Sequence, residues 1–324
     1  MDRKLSHALT PSAASAPHEA ASSGPVAIGI DLGGTKLMAG LAGLDGQMLA
    51  NVEQPTRHGK GAPVLGQIEE IVAELCQTAG VERSRLAQVT IGVPAAVDPV
   101  TGLASLSPNL ELDPTRPLAV VLGERLGCRV NVENDVNVAA FGEAVLGHGR
   151  GTGALALISF GTGAGMGLVI GGKMVRGVGG RTGEIAYLPL GGDAYADEER
   201  TKAGLYELAV GSPGFRGAYS DDGTSVFEIF ERATKGEAKA QAVIEQVART
   251  GALGLASVVA LIDPDVVVLA GSIGARQEFA DLLKANLAKL LPFPVRVEVS
   301  ALGREAGLHG AVQAAVAAAR DGAN

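Results

Sequence analysis

Three glycine-rich turns and a few isolated carboxylates are the parts of this chain whose residue types and spacing could do chemistry. The first turn, DLGGTK (31–36), closes the apolar run VAIGIDLGG (26–34) and opens a second run, so it belongs to a strand–loop–strand unit. Gly33 and Gly34 bare backbone N–H groups that can close on phosphate oxygens, Thr35 adds a hydroxyl, and Lys36 could neutralise phosphate charge. Asp31, at the strand end, is placed to hold a hydrated Mg²⁺. Neither GxxxxGK[ST] nor a strand-to-helix GxGxxG occurs here, so this is no P-loop and no Rossmann turn. An ordinary glycine hairpin with a solvated aspartate accounts for the same residues equally well.

The second turn, FGTGAGMG (160–167), has the same strand–loop–strand character, with Gly161 and Gly163 around Thr162, a candidate γ-phosphate contact. The third, AGSIG (270–274), follows a very apolar strand, and Gly271 would allow close approach of a flat ring such as adenosine. Carboxylates gather at ENDVNVAA (133–140), where a strand runs into a helix. Asp135 could act as general base towards a hydroxyl while Asn134 orients the same substrate, or both residues could simply cap the helix. In GRTGEIAYLPLGG (180–192), Glu184 and Tyr187 stand among glycines and aliphatics, either in a tight turn or facing a ligand. Asn109, in SPNLELD (107–113), can both donate and accept, as discrimination among hydroxyls requires; an exposed loop Asn reads the same way. His148 and His309 are isolated, without HxxxH or HExxH spacing, and suggest no metal site.

The elements that must carry these groups follow from periodicity. Two apolar runs flank Asp45-Gly46 as a hairpin, a helix spans about 64–79, and strands are expected at 88–94 and 128–135 with a helix at 117–126 between them. A short helix at 136–147, two strands within 154–175, helices near 202–210, 225–234 and 237–262, a strand at 265–271, a helix at 276–291, a strand at 295–300 and a closing helix at 305–320 complete the chain. Hairpin strands followed by alternating helix and strand occur twice, which implies two α/β domains of similar plan with a cleft between them. The 324 residues suffice for two cores, built mainly from aliphatics because only 3% are aromatic and tryptophan is absent. A net charge of −8 argues against a nucleic-acid binder, and two cysteines, Cys76 and Cys128, are too few for a disulfide framework, which fits a cytoplasmic protein. Residues 1–25, rich in Ala, Ser and Pro, read as a disordered tail without a secretory signal, and no stretch reads as a membrane span.

In order, IGIDLGGTK (28–36), IGVPAAVD (91–98), SPNL (107–110), ENDVNVAAFGE (133–143), the glycine register 160–190 and PDVVVLAGSI (264–273) resemble the ROK family of sugar kinases and sugar-responsive repressors. The resemblance covers nearly all the chain from residue 26 and implies an actin-like, ribonuclease H-like ATPase fold. Its two domains would comprise residues 26–136 plus 305–324 and residues 137–304. It makes Asp31, Gly33, Gly34, Thr35 and Lys36 the first phosphate loop, Gly161, Thr162 and Gly163 the second, and Gly271 part of the adenosine pocket. Asp135 matches the catalytic aspartate, Asn109 and Asn134 match sugar-binding positions, Glu184 matches a glutamate at the anomeric end, and Glu207 one that closes the pocket. ATP and Mg²⁺ are the implied cofactors, a hexose such as glucose the acceptor at its 6-hydroxyl, and a homodimer the assembly.

Two departures qualify this. Most members carry GE[IF]GH and a following CxCGxxGC cluster that bind zinc, whereas here Tyr187 takes the histidine position and residues 191–206 contain no cysteine; no zinc is expected. The usual PG ahead of Asp98 is Pro94-Ala95. A sugar-sensing regulator without turnover is the alternative, disfavoured for DNA binding because the 30 residues before Asp31 hold no helix–turn–helix pattern. Fructose, mannose, allose or N-acetylmannosamine as acceptor, or polyphosphate as donor, are the other possibilities.

Overall fold

The first apolar runs fold into an antiparallel trio, β1 (Val26–Leu32), β2 (Lys36–Gly43) and β3 (Met48–Pro55), with Gly46 at φ +87° in the β2–β3 turn. The computed structural model describes residues 24–59, 62–105, 115–220 and 222–322; the tail read at 1–25 lies, up to residue 23, outside them. Helix α1 (Pro63–Thr78) buries Ile68, Ile71, Val72 and Leu75, spaced by three and four, and leads to β4 (Leu86–Val93). The small ladder β5 (Ala96–Val97) and β6 (Ala104–Ser105), helix α2 (Leu118–Leu126) and β7 (Arg129–Asn134) complete the first half. Its sheet order is β3-β2-β1-β4-β7, with β4 and β7 parallel to β1. That register aligns Asp31, Gly92 and Glu133 across the ends of three strands.

Helix α3 (Asp135–Leu146) leads into the second half: β8 (Ala154–Phe160), β9 (Ala164–Ile170), β10 (Lys173–Met174), α4 (Glu198–Lys202), α5 (Leu205–Val210), α6 (Ser212–Tyr219), α7 (Val226–Thr234), α8 (Ala238–Ile262), β11 (Val266–Ala270), α9 (Gly271–Gly274), α10 (Gln277–Leu287), β12 (Val297–Val299) and α11 (Ala306–Asp321). The second sheet runs β10-β9-β8-β11-β12, the first sheet's order repeated. The weak internal repeat in the sequence is thus a duplicated topology. Helix α3 packs on the second sheet, where Val136 and Ala140 meet Leu155, Leu157 and Val268, while α11 packs on the first, where Leu308 and Val312 meet Ala27 and Met38. The two helices cross with backbones nearly touching: a Cβ on Gly310 would stand 1.6 Å from the carbonyl oxygen of Val138, so no side chain fits there.

Several elements differ from expectation. The helix read at 202–210 is two helices, because Gly204 adopts φ +97° between α4 and α5, and α6 and the β5–β6 ladder were not read at all. Proline at the start of α6 pre-sets the helical φ, a signal that the flanking glycines obscure. Helix α8, at 25 residues, is long and apolar enough to cross a membrane by length and composition alone, although Lys239, Glu245 and Arg249 interrupt its apolar run. Its Val243, Ile244, Val247, Leu255 and Val259 are instead buried in the second core with Phe279 and Leu283.

Candidate active site

The two glycine turns open at equivalent ends of the two sheets, after β1 and after β8. In the first, Gly33 N–H donates to Lys36 O (3.0 Å), and Thr56 fastens the turn through its hydroxyl to Gly33 O (2.7 Å) and its N–H to Thr35 O (3.1 Å). Gly34 and Thr35 are exposed at the tip. The carboxylate of Asp31 lies on the first turn of α11, with Oδ2 2.3 Å from where a Cβ on Gly307 would be, so only glycine leaves room for it. Burial raises its pKa to about 6, with Lys36 pulling the other way.

Asp135 is the first residue of α3, directly after β7 ends. Its Oδ1 accepts from Val136 N–H (2.8 Å), and its pKa is pushed up to about 7, first by burial, then by the charges of Asp31 and Glu184. Asn134 is the helix cap, accepting from Val136 N–H (2.9 Å) and Asn137 N–H (3.0 Å), while its Nδ2 donates to Ala95 O (3.2 Å). One amide proton of Asn134 remains for a ligand, so capping and binding are compatible here. Glu184 is not in a turn between two strands. It precedes a single 3₁₀ turn, Ile185–Tyr187, and is brought onto β9 by Gly183, whose φ of +96° and position 1.9 Å (as a notional Cβ) from Met166 O tolerate no side chain. Burial and Glu207 raise its pKa. Tyr187 is 43% exposed at the outer end of that turn.

Glu207 reaches the second glycine turn: its Oε2 accepts from Ala164 N–H (2.9 Å) and fills the space beside Gly163, where a Cβ would stand 2.1 Å away. Ser212 holds the same turn, donating its N–H to Gly161 O (3.0 Å) and Thr162 O (3.3 Å) and its hydroxyl to Gly161 O (3.1 Å). Gly271, at φ +81°, backs onto Phe160 O, and Ser272 Oγ lies against Gly161. The glycine at 271 is therefore explained by the backbone beside it. Asn109 lies outside the described residues.

The structure thus links Asp31 to Asp135, Asp135 to Glu184 and Glu184 to Glu207, each carboxylate felt by the next, with both glycine turns at the ends of that line. Sequence reasoning missed Ser212 and Gly307, and did not see that Glu133 binds Arg176. For Glu133 a signal existed: alternation along β7 puts it on the face of Asn131, towards α3. Carboxylates are hard oxygen donors, and Asp31 and Asp135, both desolvated and near enough for the charge of Asp31 to raise the pKa of Asp135, fit Mg²⁺ at this place. Among the described residues no group of three or more His, Cys, Asp or Glu side chains could hold a metal ion by itself.

Duplicated sheets with paired glycine turns and carboxylates between them define a two-domain, actin-like phosphotransferase fold. A sequence model of the ROK family matches residues 27–318. The N-acetyl-D-glucosamine kinase of Pectobacterium atrosepticum is 29% identical over 298 residues, 87% of this chain and 96% of that protein. The ROK hexokinase of Thermus thermophilus superposes with a TM-score of 0.78 at 31% identity, covering 91% of this chain and 99% of that one. A ROK family glucokinase from Streptomyces griseus, solved in complex with glucose and AMPPNP, gives 0.72 at 26% identity, covering 90% and 99%. The chain belongs to the ROK family, and it is a sugar kinase.

Proposed function

We propose that this protein is an ATP-dependent hexose kinase that transfers the γ-phosphate of ATP to the 6-hydroxyl of glucose, with Asp135 as general base. The observation that carries this is the position of Asp135 at the junction of β7 and α3, within electrostatic reach of Asp31 and Glu184 and with a pKa of about 7. A base needs a pKa near the working pH to take a proton efficiently, and burial beside other carboxylates supplies it. Glucose bound to the Streptomyces griseus relative supports the acceptor, and AMPPNP in the same complex supports ATP as donor.

Glu184 and Glu207, both acceptors only, suit the O–H donors of a neutral sugar and repel acidic ones. Asn134 would give its free amide proton to a sugar oxygen, and Asn109 and Tyr187 are further candidates. Asp31, with the phosphates of ATP, would hold Mg²⁺, which supplies charge neutralisation at the phosphate oxygens. The peptide N–H groups of Gly34 and Thr35 would meet the phosphates from one side and those of Thr162 and Gly163 from the other, each turn held in shape by its own internal bond, Gly33 N–H to Lys36 O and Gly161 N–H to Gly163 O, while the surroundings of Gly271 seat the adenosine. Asp135 would take the hydroxyl proton as the sugar oxygen attacks the γ-phosphorus and the bond to the β–γ bridging oxygen breaks, releasing ADP. Most of the catalysis is then positioning and electrostatics.

The packing of α11 on the first sheet and α3 on the second supports domains 26–136 plus 305–324 and 137–304, closing on the sugar to exclude water. A cytoplasmic homodimer rests on family kinship, and the net charge of −8 gives no support to nucleic-acid binding. Coupled ADP release over a hexose panel with ATP and Mg²⁺ tests the reading: glucose-dependent turnover is expected, and its absence with every hexose sinks it.

A further inference from the structure

Glu133 and Arg176 are joined by a charge-assisted hydrogen bond between Oε2 and Nε, and the chemistry above uses neither residue. We propose that they are a pair of positioning residues that register the base at the end of the first sheet against the sugar-binding loop of the second; this deepens the kinase reading and rests on it. Glu133 is only 5% exposed, and both of its oxygens are engaged. Oε1 accepts from Asn134 N–H and from Asn137 Nδ2, each at 3.1 Å. Asn134 in turn caps α3, whose first residue is Asp135. Glu133 therefore braces the helix start on which the base stands.

Arg176 belongs to the other half. It follows β10, and its carbonyl accepts from Thr182 N–H (3.1 Å), which closes the 176–182 loop immediately before Gly183 and Glu184. Gly183 O accepts from Met166 N–H (3.0 Å), so this loop is fixed to β9 at one end and to Glu133 at the other. One guanidinium thus spans from the strand that leads into the base to the loop that carries the sugar carboxylate. Leaving Glu133 buried without its cation is costly, which holds the two parts in register. The side chain of Arg176 is 41% exposed, so its removal takes little from the core.

The test compares wild type with Arg176→Ala, Arg176→Lys, Glu133→Gln and Glu133→Gln/Arg176→Ala. It measures steady-state kinetics for glucose and ATP, glucose binding by calorimetry, and the melting temperature. Misplacing the sugar against the base should raise KM and Kd for glucose about tenfold and lower kcat several-fold in Arg176→Ala, with KM for ATP within about twofold. Arg176→Lys, lacking the planar fork, should recover only part of the loss. The double variant should be no worse than Arg176→Ala, because the two residues act as one unit. A lowered melting temperature with unchanged glucose parameters, or equal losses for glucose and ATP, would overturn the proposal and leave a structural ion pair. Wild type that binds glucose without turning it over sinks the kinase reading alone, and the binding series still decides the positioning role. Wild type that neither binds nor phosphorylates glucose sinks both.

Discussion

The two glycine turns occupy the same place in two copies of one sheet, yet they are held and equipped differently. The turn after β1 carries its own carboxylate, Asp31, and is fastened by the strand end beside it through Thr56, with His58 Nε2 2.7 Å from Gly34 O. The turn after β8 has no charged residue and is fastened from outside by Glu207 and Ser212, where α5 gives way to α6. Duplication has copied the backbone grip and not the chemistry. On the proposed reading, metal and proton work falls to the first side, where the charge of Asp31 raises the cost of ionising Asp135, and the second side offers neutral N–H groups. Two acidic turns face to face would repel a triphosphate placed between them.

Breaking the acidic side should have the largest effect. Asp135→Asn keeps the shape and removes the base, so kcat should fall by about 10²–10⁴ in the ADP-release assay. Turnover near the wild-type level would remove Asp135 from the mechanism. In wild type, kcat/KM should decline as pH falls through about 7, since the protonated carboxyl cannot accept a proton. A flat profile between pH 5.5 and 8 would show that the base lies elsewhere.

The neutral side should be softer. A methyl group in Gly163→Ala would collide with Glu207 Oε2, and that flexible chain can swing away at the expense of its bond to Ala164 N–H. Losing a charge-assisted hydrogen bond costs about 1.5–3 kcal/mol, so KM for ATP should rise roughly tenfold or more while KM for glucose changes less. If the glucose constant moves more than the ATP constant, Glu207 serves the sugar first and the division between the two sides blurs.

The same contrast explains what was legible in the sequence. Strand ends and glycine turns are local, so Asp31, the two loops and the junction at Asp135 could be read from periodicity and turn residues alone. What could not be read depends on contacts across long separations. Glu207 meets Ala164 from 43 positions away, and Arg176 meets Glu133 from another 43. Ser212 looks like a loop serine between Gly211 and Pro213, and only the docking of α6 on the turn reveals its hydrogen bonds. Asn134 shows the limit from the other direction: cap and ligand were posed as alternatives, and its geometry permits both.

A smaller effect is expected on stability, with a definite sign. Asp135 binds its proton more tightly when folded (pKa about 7) than an ordinary aspartate does (3.8), so ionising it opposes folding. That penalty is absent below about pH 3.8, grows as pH rises, and is complete above about 7. Asp135→Asn does not carry it, so the variant should melt a few degrees above wild type at pH 8, on the order of 1–3 kcal/mol. The advantage should shrink towards pH 4. A variant less stable than wild type at pH 8 would mean that other contacts outweigh the strain of burying this charge.

The smallest effect should come from Ser212→Ala, which isolates the fastening of the second turn from every charge. The backbone N–H of residue 212 still donates to Gly161 O, so only the hydroxyl bond at 3.1 Å is lost, worth about 0.5–1.5 kcal/mol. KM for ATP should rise a few-fold, with kcat at saturating ATP, KM for glucose and the pH profile all unchanged. That pattern differs from Asp135→Asn in every respect if the second turn grips phosphate without touching the proton. A shift of the pH limb in Ser212→Ala would mean the second turn helps set the charge at Asp135, and the two sides would not be separable.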